Sequence, residues 1–167
     1  MSAHSPGPVG ASESIARFVI DPLHVTRAGN LKPSLFSHVA TKGCSVQRDS
    51  IASTGELTAF IRSFLEGDQR FIWLGVVAAN CDAVRNLLLP DEQARLRAVC
   101  VYDTAERDNP AHAEMCQTRH IQEADAIELR RQLFAIFGDG PIIGRQAYKH
   151  GAVWNALPQE LRDRTAS

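Results

Sequence analysis

The most chemically suggestive stretch of this sequence is Asn109–Glu114, which reads Asn-Pro-Ala-His-Ala-Glu. It places His112 two positions before Glu114, and both side-chain types transfer protons in many active sites near neutral pH. In a strand these two side chains would share one face, with the neighbouring alanine and methionine packed inward. In a helix Asn109 would be the N-cap and Pro110 the first helical residue. We favour the strand, and the sequence leaves the helix open.

The triplet His112–Glu114, His-Ala-Glu, resembles a motif of zinc-dependent nucleoside and tRNA deaminases. The resemblance implies that His112 binds zinc and that Glu114 moves protons for a zinc-bound water. The second motif of that family, Pro-Cys-x-x-Cys, is absent, because none of the four cysteines follows a proline or has another cysteine three residues away. Zinc would lack two ligands. We therefore expect no stoichiometric zinc and keep a degenerate deaminase-like protein as an alternative.

A second arrangement for a metal depends on helical register. His112, Cys116 and His120 are spaced four residues apart and would share one face of a helix. The alternative is that these residues lie near a strand end or in a loop, one of them buried, and bind no metal, as is common for histidine and cysteine. We adopt the alternative and assign no metal ligands.

Three short stretches resemble a group of small bacterial proteins. The group has an early Pro-x-His-Val followed by Gly and Phe, then a Gly-x-Ser-Val strand, and a late Asn-Pro-Ala-His-Ala that continues into a strand. The matching residues are Pro22–Val25 with Gly29 and Phe36, Gly43–Val46, and Asn109–Ala113. The resemblance covers roughly residues 17–116. It implies no activity, but it implies that the three polar stretches belong to one site.

The order of the polar residues is also similar to that in ADP-ribosyltransferase-like folds. This likeness implies that His24 holds the ribose of NAD, that Ser45 orients it, and that Glu114 stabilises the transition state. The chain departs from the pattern, since it has no Ser-Thr-Ser run and no Glu-x-Glu. For His24 the alternative is a turn residue that hydrogen-bonds the backbone after Asp21-Pro22.

Arg48 ends the segment that contains Ser45, and its guanidinium could clamp a phosphate or carboxylate. The alternative is a solvated strand end paired with Asp49.

We expect an enzyme or enzyme-derived domain that acts on a nucleotide or nucleic-acid-related substrate, with the cofactor left open. A non-catalytic interaction module, such as a toxin, immunity or operon accessory protein, is the competing class. The expected catalytic residues are His24, His112 and Glu114, and the expected substrate-binding residues are Ser45, Arg48 and Asn109.

Composition narrows the class of protein. The chain has 167 residues, 44% of them hydrophobic and 22% charged, and a net charge of -1. This is an ordinary globular balance without a strong nucleic-acid signal. The longest apolar run, 71–79, is too short to cross a bilayer, and the first 14 residues lack a signal-peptide pattern. We therefore expect a cytoplasmic protein with a nucleotide or another anionic small molecule as its partner, and no membrane association.

Hydrophobic patterning predicts the elements that must position these residues. Strands are expected at 16–20, 44–48, 70–79 and 97–102, and helices at 82–89, at 122–137 and after the capping box Ser53-Thr54-Gly55-Glu56. We expect one α/β or α+β domain over 15–145, with a mixed sheet of four to five strands, flanking helices and 71–79 as a central strand. Residues 1–14 are expected to be disordered, and 146–167 to form a helical C-terminal appendage.

Overall fold

The computed structural model describes residues 3–89, 97–138, 142–145, 147 and 151–164. Its centre is an antiparallel sheet with the strand order β4-β5-β2-β1-β3-β6. The strands are β1 Ser14–Asp21, β2 Cys44–Arg48, β3 Ile72–Asn80, β4 Val99–Asp103, β5 His112–Gln117 and β6 Ile143–Gly144. The helices are α1 Thr54–Gly67, α2 Cys81–Arg85, α3 Glu123–Gly138, α4 Ala152–Ala156 and α5 Gln159–Asp163, with a 3₁₀ turn at Pro33–Phe36.

The α+β class and the flanking helices are confirmed, while the details of the sheet differ from the expected mixed sheet of four to five strands. Six strands are present among the described residues, and each of their pairings is antiparallel. A mixed sheet requires at least one parallel pairing, and β2 and β3, which flank α1, do run in the same direction. They do not pair because β1 lies between them and is antiparallel to both. The additional strand, β6, is too short to show a pattern in the sequence.

The expected central strand 71–79 corresponds to β3, which is paired on both sides, with β1 along eight register positions and with β6 at its outer edge. Gly75 makes the β6 pairing sterically feasible. Its φ is +139°, and a Cβ built there would lie 2.1 Å from the carbonyl oxygen of Ile143. Only glycine, which has no Cβ, fits this approach.

Helix α1 begins where the sequence predicts. The Ser53 hydroxyl accepts a hydrogen bond from the backbone N–H of Glu56 at 3.2 Å, and the Glu56 carboxylate accepts one from the backbone N–H of Ser53 at 3.1 Å. This reciprocal pair is a complete capping box. Leu57, Ile61 and Leu65 then recur at four-residue spacing and are buried against the sheet.

The sheet separates two hydrophobic cores. The first face packs against α3 and the 3₁₀ turn, and the second against α1 and the C-terminal helices. Val153, Leu157 and Leu161 from the C-terminal segment are buried in the second core beside Trp73. The described part of 146–167 is therefore integral to the domain rather than appended to it. The sequence did not predict this role because α4 and α5, with five residues each, are too short to show a helical period.

Residues 3–13 also lie against the domain. Val9 is 4% exposed and belongs to the first core, and Arg48 donates hydrogen bonds to the carbonyl oxygens of Gly7 at 2.7 Å and Pro8 at 3.4 Å. Composition predicted disorder here because the segment has little apolar surface. In the structure one valine and several backbone carbonyls make the contacts instead.

Candidate functional site

A cleft opens in the sheet between β1 and β2. These strands are register partners only at Ile15 with Arg48 and at Ala16 with Gln47. Beyond Ala16, β1 stays paired with β3 while β2 stays paired with β5. The gap between them holds a cavity of about 260 Å³. The cavity therefore results from the topology of the sheet rather than from a loop.

One wall of the cleft is aromatic. Phe18 comes from β1, and Phe60 and Phe64 come from α1, with the Phe18 and Phe60 rings 5.4 Å apart. The remaining lining is half apolar and half polar, and its side chains that can carry charge or hydrogen-bond are Arg17, His24, His38, Ser45 and Gln47. A flat apolar wall facing a few polar groups is the usual composition of a small-molecule site.

Gln47 has the most informative side chain in the cleft. It is 2% exposed, and its Oε1 atom is buried without a hydrogen-bond partner among the described residues. Such an orphaned group costs about 1–3 kcal/mol. We did not predict Gln47 from the sequence, although it lies two positions from Ser45 and therefore shares its face of β2. A ligand that donates a hydrogen bond would satisfy this oxygen.

Arg17 brings a fixed positive charge to the cleft. Its Nη1 donates to the carbonyl oxygen of Ser45 at 2.6 Å and its Nε to that of Leu35 at 3.3 Å. Within the part of the chain that the structure describes, it forms no ion pair. Burial lowers the pKa of the Arg17 guanidinium. Arginine nevertheless keeps its proton in proteins, so the group carries a positive charge. Because only neutral carbonyls contact it, its charge is not compensated locally.

His24 lines the cleft and also hydrogen-bonds the backbone, as expected for a turn residue after Asp21-Pro22. Its Nδ1 accepts a hydrogen bond from the backbone N–H of Ile20 at 3.1 Å. Burial, and then the nearby charge of Arg17, lower the pKa of His24 to about 4. The imidazole is therefore neutral at neutral pH and has one nitrogen already occupied. It is poorly suited to act as a general base near pH 7.

Ser45 and His24 are the expected site residues that the structure places in the cleft lining. Two others, His112 and Glu114, lie on the adjacent strand β5, directly opposite Gln47 and Ser45 respectively. They share the cleft's face of the sheet but do not line the cavity. The Nδ1 of His112 lies 2.8 Å from the hydroxyl oxygen and 3.2 Å from the carbonyl oxygen of Thr104. His112 therefore supports the β4–β5 connection.

Arg48 and Asn109 lie away from the cleft. The side chain of Arg48 points to the opposite face of β2 and binds Glu13. Asn109 is a buried turn residue whose carbonyl oxygen accepts a hydrogen bond from the His112 backbone N–H at 3.1 Å. The side-chain Nδ2 of Asn109 has no partner among the described residues. Of the six expected site residues, the structure brings together two in the cavity and two beside it.

The structure also decides the conformation of the Asn109–Glu114 stretch and of the residues after it. Residues His112–Gln117 form a strand, so the helical register that would align His112, Cys116 and His120 does not occur. In a strand, His112 and Cys116 are roughly 13 Å apart along the chain. Among the described residues no three His, Cys, Asp or Glu side chains are grouped to hold a metal ion.

A membrane-spanning helix or a similar protein of known function would each indicate what kind of protein this is. None of the described helices combines the length and the apolar character needed to span a membrane. Comparison with protein-family models, curated proteins and solved structures finds no match to this chain. What the cleft can bind therefore has to be inferred from its own geometry.

Proposed function

We propose that this chain is a ligand-binding domain whose cleft takes a small planar molecule of the nucleobase or nucleotide class. The observation that carries the proposal is the unpartnered Oε1 of Gln47 in the lining of an aromatic-walled cavity. A ligand that offers an amino, imino or hydroxyl donor supplies the missing hydrogen bond.

The dimensions and chemistry of the cleft support a flat ligand. Its volume of about 260 Å³ lies just below the range of roughly 300–1,000 Å³ that holds drug-sized molecules. One ring, or two fused rings, fits such a space. Stacking of a base on an aromatic side chain contributes about 1–3 kcal/mol. Phe18, Phe60 and Phe64 offer such a face.

The charges around the cleft favour a neutral or anionic ligand over a cation. After burial, the positive charges of Arg17 and Lys32 are among the causes that lower the pKa of His24. No carboxylate lines the cavity within the described part of the chain. An attached phosphate or carboxylate would therefore meet a favourable potential at the mouth of the cleft.

Binding is better supported than acid–base catalysis. His24 is neutral with Nδ1 occupied, and His112 is held by Thr104 outside the cavity. Glu114 is half-buried opposite Ser45 but is also outside the lining. We extend the proposal to a cytoplasmic setting, because the four free cysteines fit a reducing compartment.

The proposal is tested by titrating the protein with adenine, guanine, cytosine, uracil and their nucleoside 5′-monophosphates. Binding is measured through the chemical shifts of the backbone amides. We expect at least one of these probes to shift the amides of Phe18, Ser45 and Gln47 in a saturable way. Gln47→Leu should weaken that binding about tenfold or more, because the hydrogen-bond acceptor is lost.

Gln117→Leu is the matched control. Gln117 also has a buried Oε1 without a partner among the described residues, but it does not line the cleft. This variant should bind the probe as the unmodified protein does. Absence of cleft shifts with every probe, or equal binding by Gln47→Leu, would contradict the proposed function.

A further inference from the structure

Two of the four cysteines are direct cross-strand neighbours. Cys100 of β4 is the register partner of Cys116 of β5. On one side of this pair the Thr118 N–H donates to the Ala98 carbonyl at 3.0 Å. Hydrogen-bonded and non-hydrogen-bonded pairs alternate along an antiparallel ladder, so Cys100 and Cys116 form a hydrogen-bonded pair.

This position satisfies the Cα requirement for a disulfide. Opposed residues in a hydrogen-bonded antiparallel pair have Cα atoms roughly 5.5 Å apart. Disulfides are found at Cα separations of about 4.4–6.8 Å. Opposed residues of neighbouring strands also direct their side chains to the same face. The Cβ atoms of a hydrogen-bonded pair are roughly 5.5 Å apart, beyond the about 3.5–4.5 Å of a disulfide. Formation of the bond therefore also requires β4, the edge strand of the sheet, to shift slightly towards β5.

The surroundings leave both thiols accessible. Cys100 and Cys116 are each half-buried, rather than enclosed in a core. The Cys116 sulfur packs against Gly43, where a Cβ would lie 2.9 Å from it, so this thiol rotates away from β2 to meet Cys100. Partial exposure of both residues gives a small reagent access to this pair.

The other two cysteines are not placed to compete. Cys44 is the register partner of Met115 and is buried in the first core, on the opposite face of the sheet from Cys116. Cys81 is buried at the start of α2 and belongs to the same core. Among the four cysteines, one pair is geometrically suited to bond.

We propose that Cys100 and Cys116 form a dithiol site that a low-molecular-weight disulfide oxidises to a cross-strand disulfide. One cysteine thiolate attacks the reagent, forms a mixed disulfide and releases one reagent thiolate. The second cysteine attacks the protein sulfur of that mixed disulfide and releases the other. Two electrons pass from the protein to the reagent, and the two protons from the cysteines go to the released thiolates.

The test is oxidation of the full chain with oxidised glutathione, followed by alkylation of the remaining thiols, trypsin digestion and mass spectrometry. Burial, and then the charge of Glu114, raise the pKa of Cys116, so the reaction is run at mildly alkaline pH. Trypsin cleaves after Arg97, Arg107 and Arg119, which places Cys100 in peptide 98–107 and Cys116 in peptide 108–119.

We expect these two peptides to be recovered as a disulfide-linked pair that separates on reduction, with Cys44 and Cys81 alkylated. Cys100→Ser should convert Cys116 to a mixed disulfide with glutathione, whereas the control Cys81→Ser should retain the link. Recovery of Cys100 and Cys116 as alkylated thiols, as stable mixed disulfides, or linked to another cysteine would overturn the proposal. The outcome is independent of whether the cleft binds a nucleotide.

Discussion

Arg48 and Glu13 form a bidentate ion pair beneath the N-terminal segment. The Nε and Nη2 atoms of Arg48 donate to the two carboxylate oxygens of Glu13 at 2.8 and 2.7 Å. Asp103 lies 3.5 Å from the Arg48 Nη1 atom, and the guanidinium also contacts backbone carbonyls of the segment. The group that the sequence suggested as an anion clamp is thus fully occupied by the protein's own acceptors.

Removing this arginine should destabilise the fold. Arg48→Ala leaves Glu13 and Asp103 without their cation, and loss of one member of a buried pair costs about 3–5 kcal/mol. Urea unfolding measures the change. Arg62→Ala is the control, because the Arg62–Glu66 pair is on the surface and should contribute little. Similar midpoints for the two variants would show that the pair does not hold the segment in place.

The buried imidazole of His24 should make stability depend on pH. Its pKa is lowered from an ordinary 6.5 to about 4, so between these values the unfolded chain binds a proton that the folded protein does not. Stability from this group is fully present above about pH 6.5 and decreases as the pH falls towards 4, by up to about 3 kcal/mol.

The control for this prediction is His24→Asn, which keeps an acceptor for the Ile20 N–H but does not titrate. Unfolding free energies measured between pH 4 and 7 should have a smaller slope in this variant than in the unmodified protein. Equal slopes would mean that His24 titrates normally in the folded state.

His112 and Glu114 should respond differently to substitution. His112 is 8% exposed and bonded to Thr104, so His112→Ala should lower the free energy of unfolding by about 1–3 kcal/mol. Glu114→Gln keeps the shape of a half-buried side chain that makes no ion pair among the described residues, and it should change stability little. Thermal unfolding of the two variants compares them, and a larger loss for Glu114→Gln would reverse these assignments.

Local patterns in the sequence were sufficient for most elements. The bounds of β2, the capping box of α1 and the strand conformation after Asn109 follow from alternation and from side-chain chemistry over a few residues. The sequence also allowed a prediction of which β2 side chains share a face of the sheet. Ser45 and Arg48 are three positions apart, and an odd separation in a strand puts two side chains on opposite faces.

The cleft itself could not be predicted from the sequence. It exists because β1 and β2 stop pairing after Ala16, and that depends on which strands neighbour each other rather than on the pattern within either strand. The unpartnered oxygen of Gln47 is likewise a property of its surroundings. The contribution of Val9 to the first core was missed because it is an isolated apolar residue among Ser, Pro and Gly. That of Val153 was missed because α4, with five residues, is too short to show a helical period.

The glycine at position 75 has a consequence for the behaviour of the protein at high concentration. By admitting Ile143–Gly144 alongside β3, it gives the backbone of a largely apolar strand a partner from its own chain. An uncovered strand of this kind is a template for strand addition from another copy. A side chain at position 75 would displace β6 and leave the β3 edge unpaired at Gly75 and Val76, which favours strand addition from another copy.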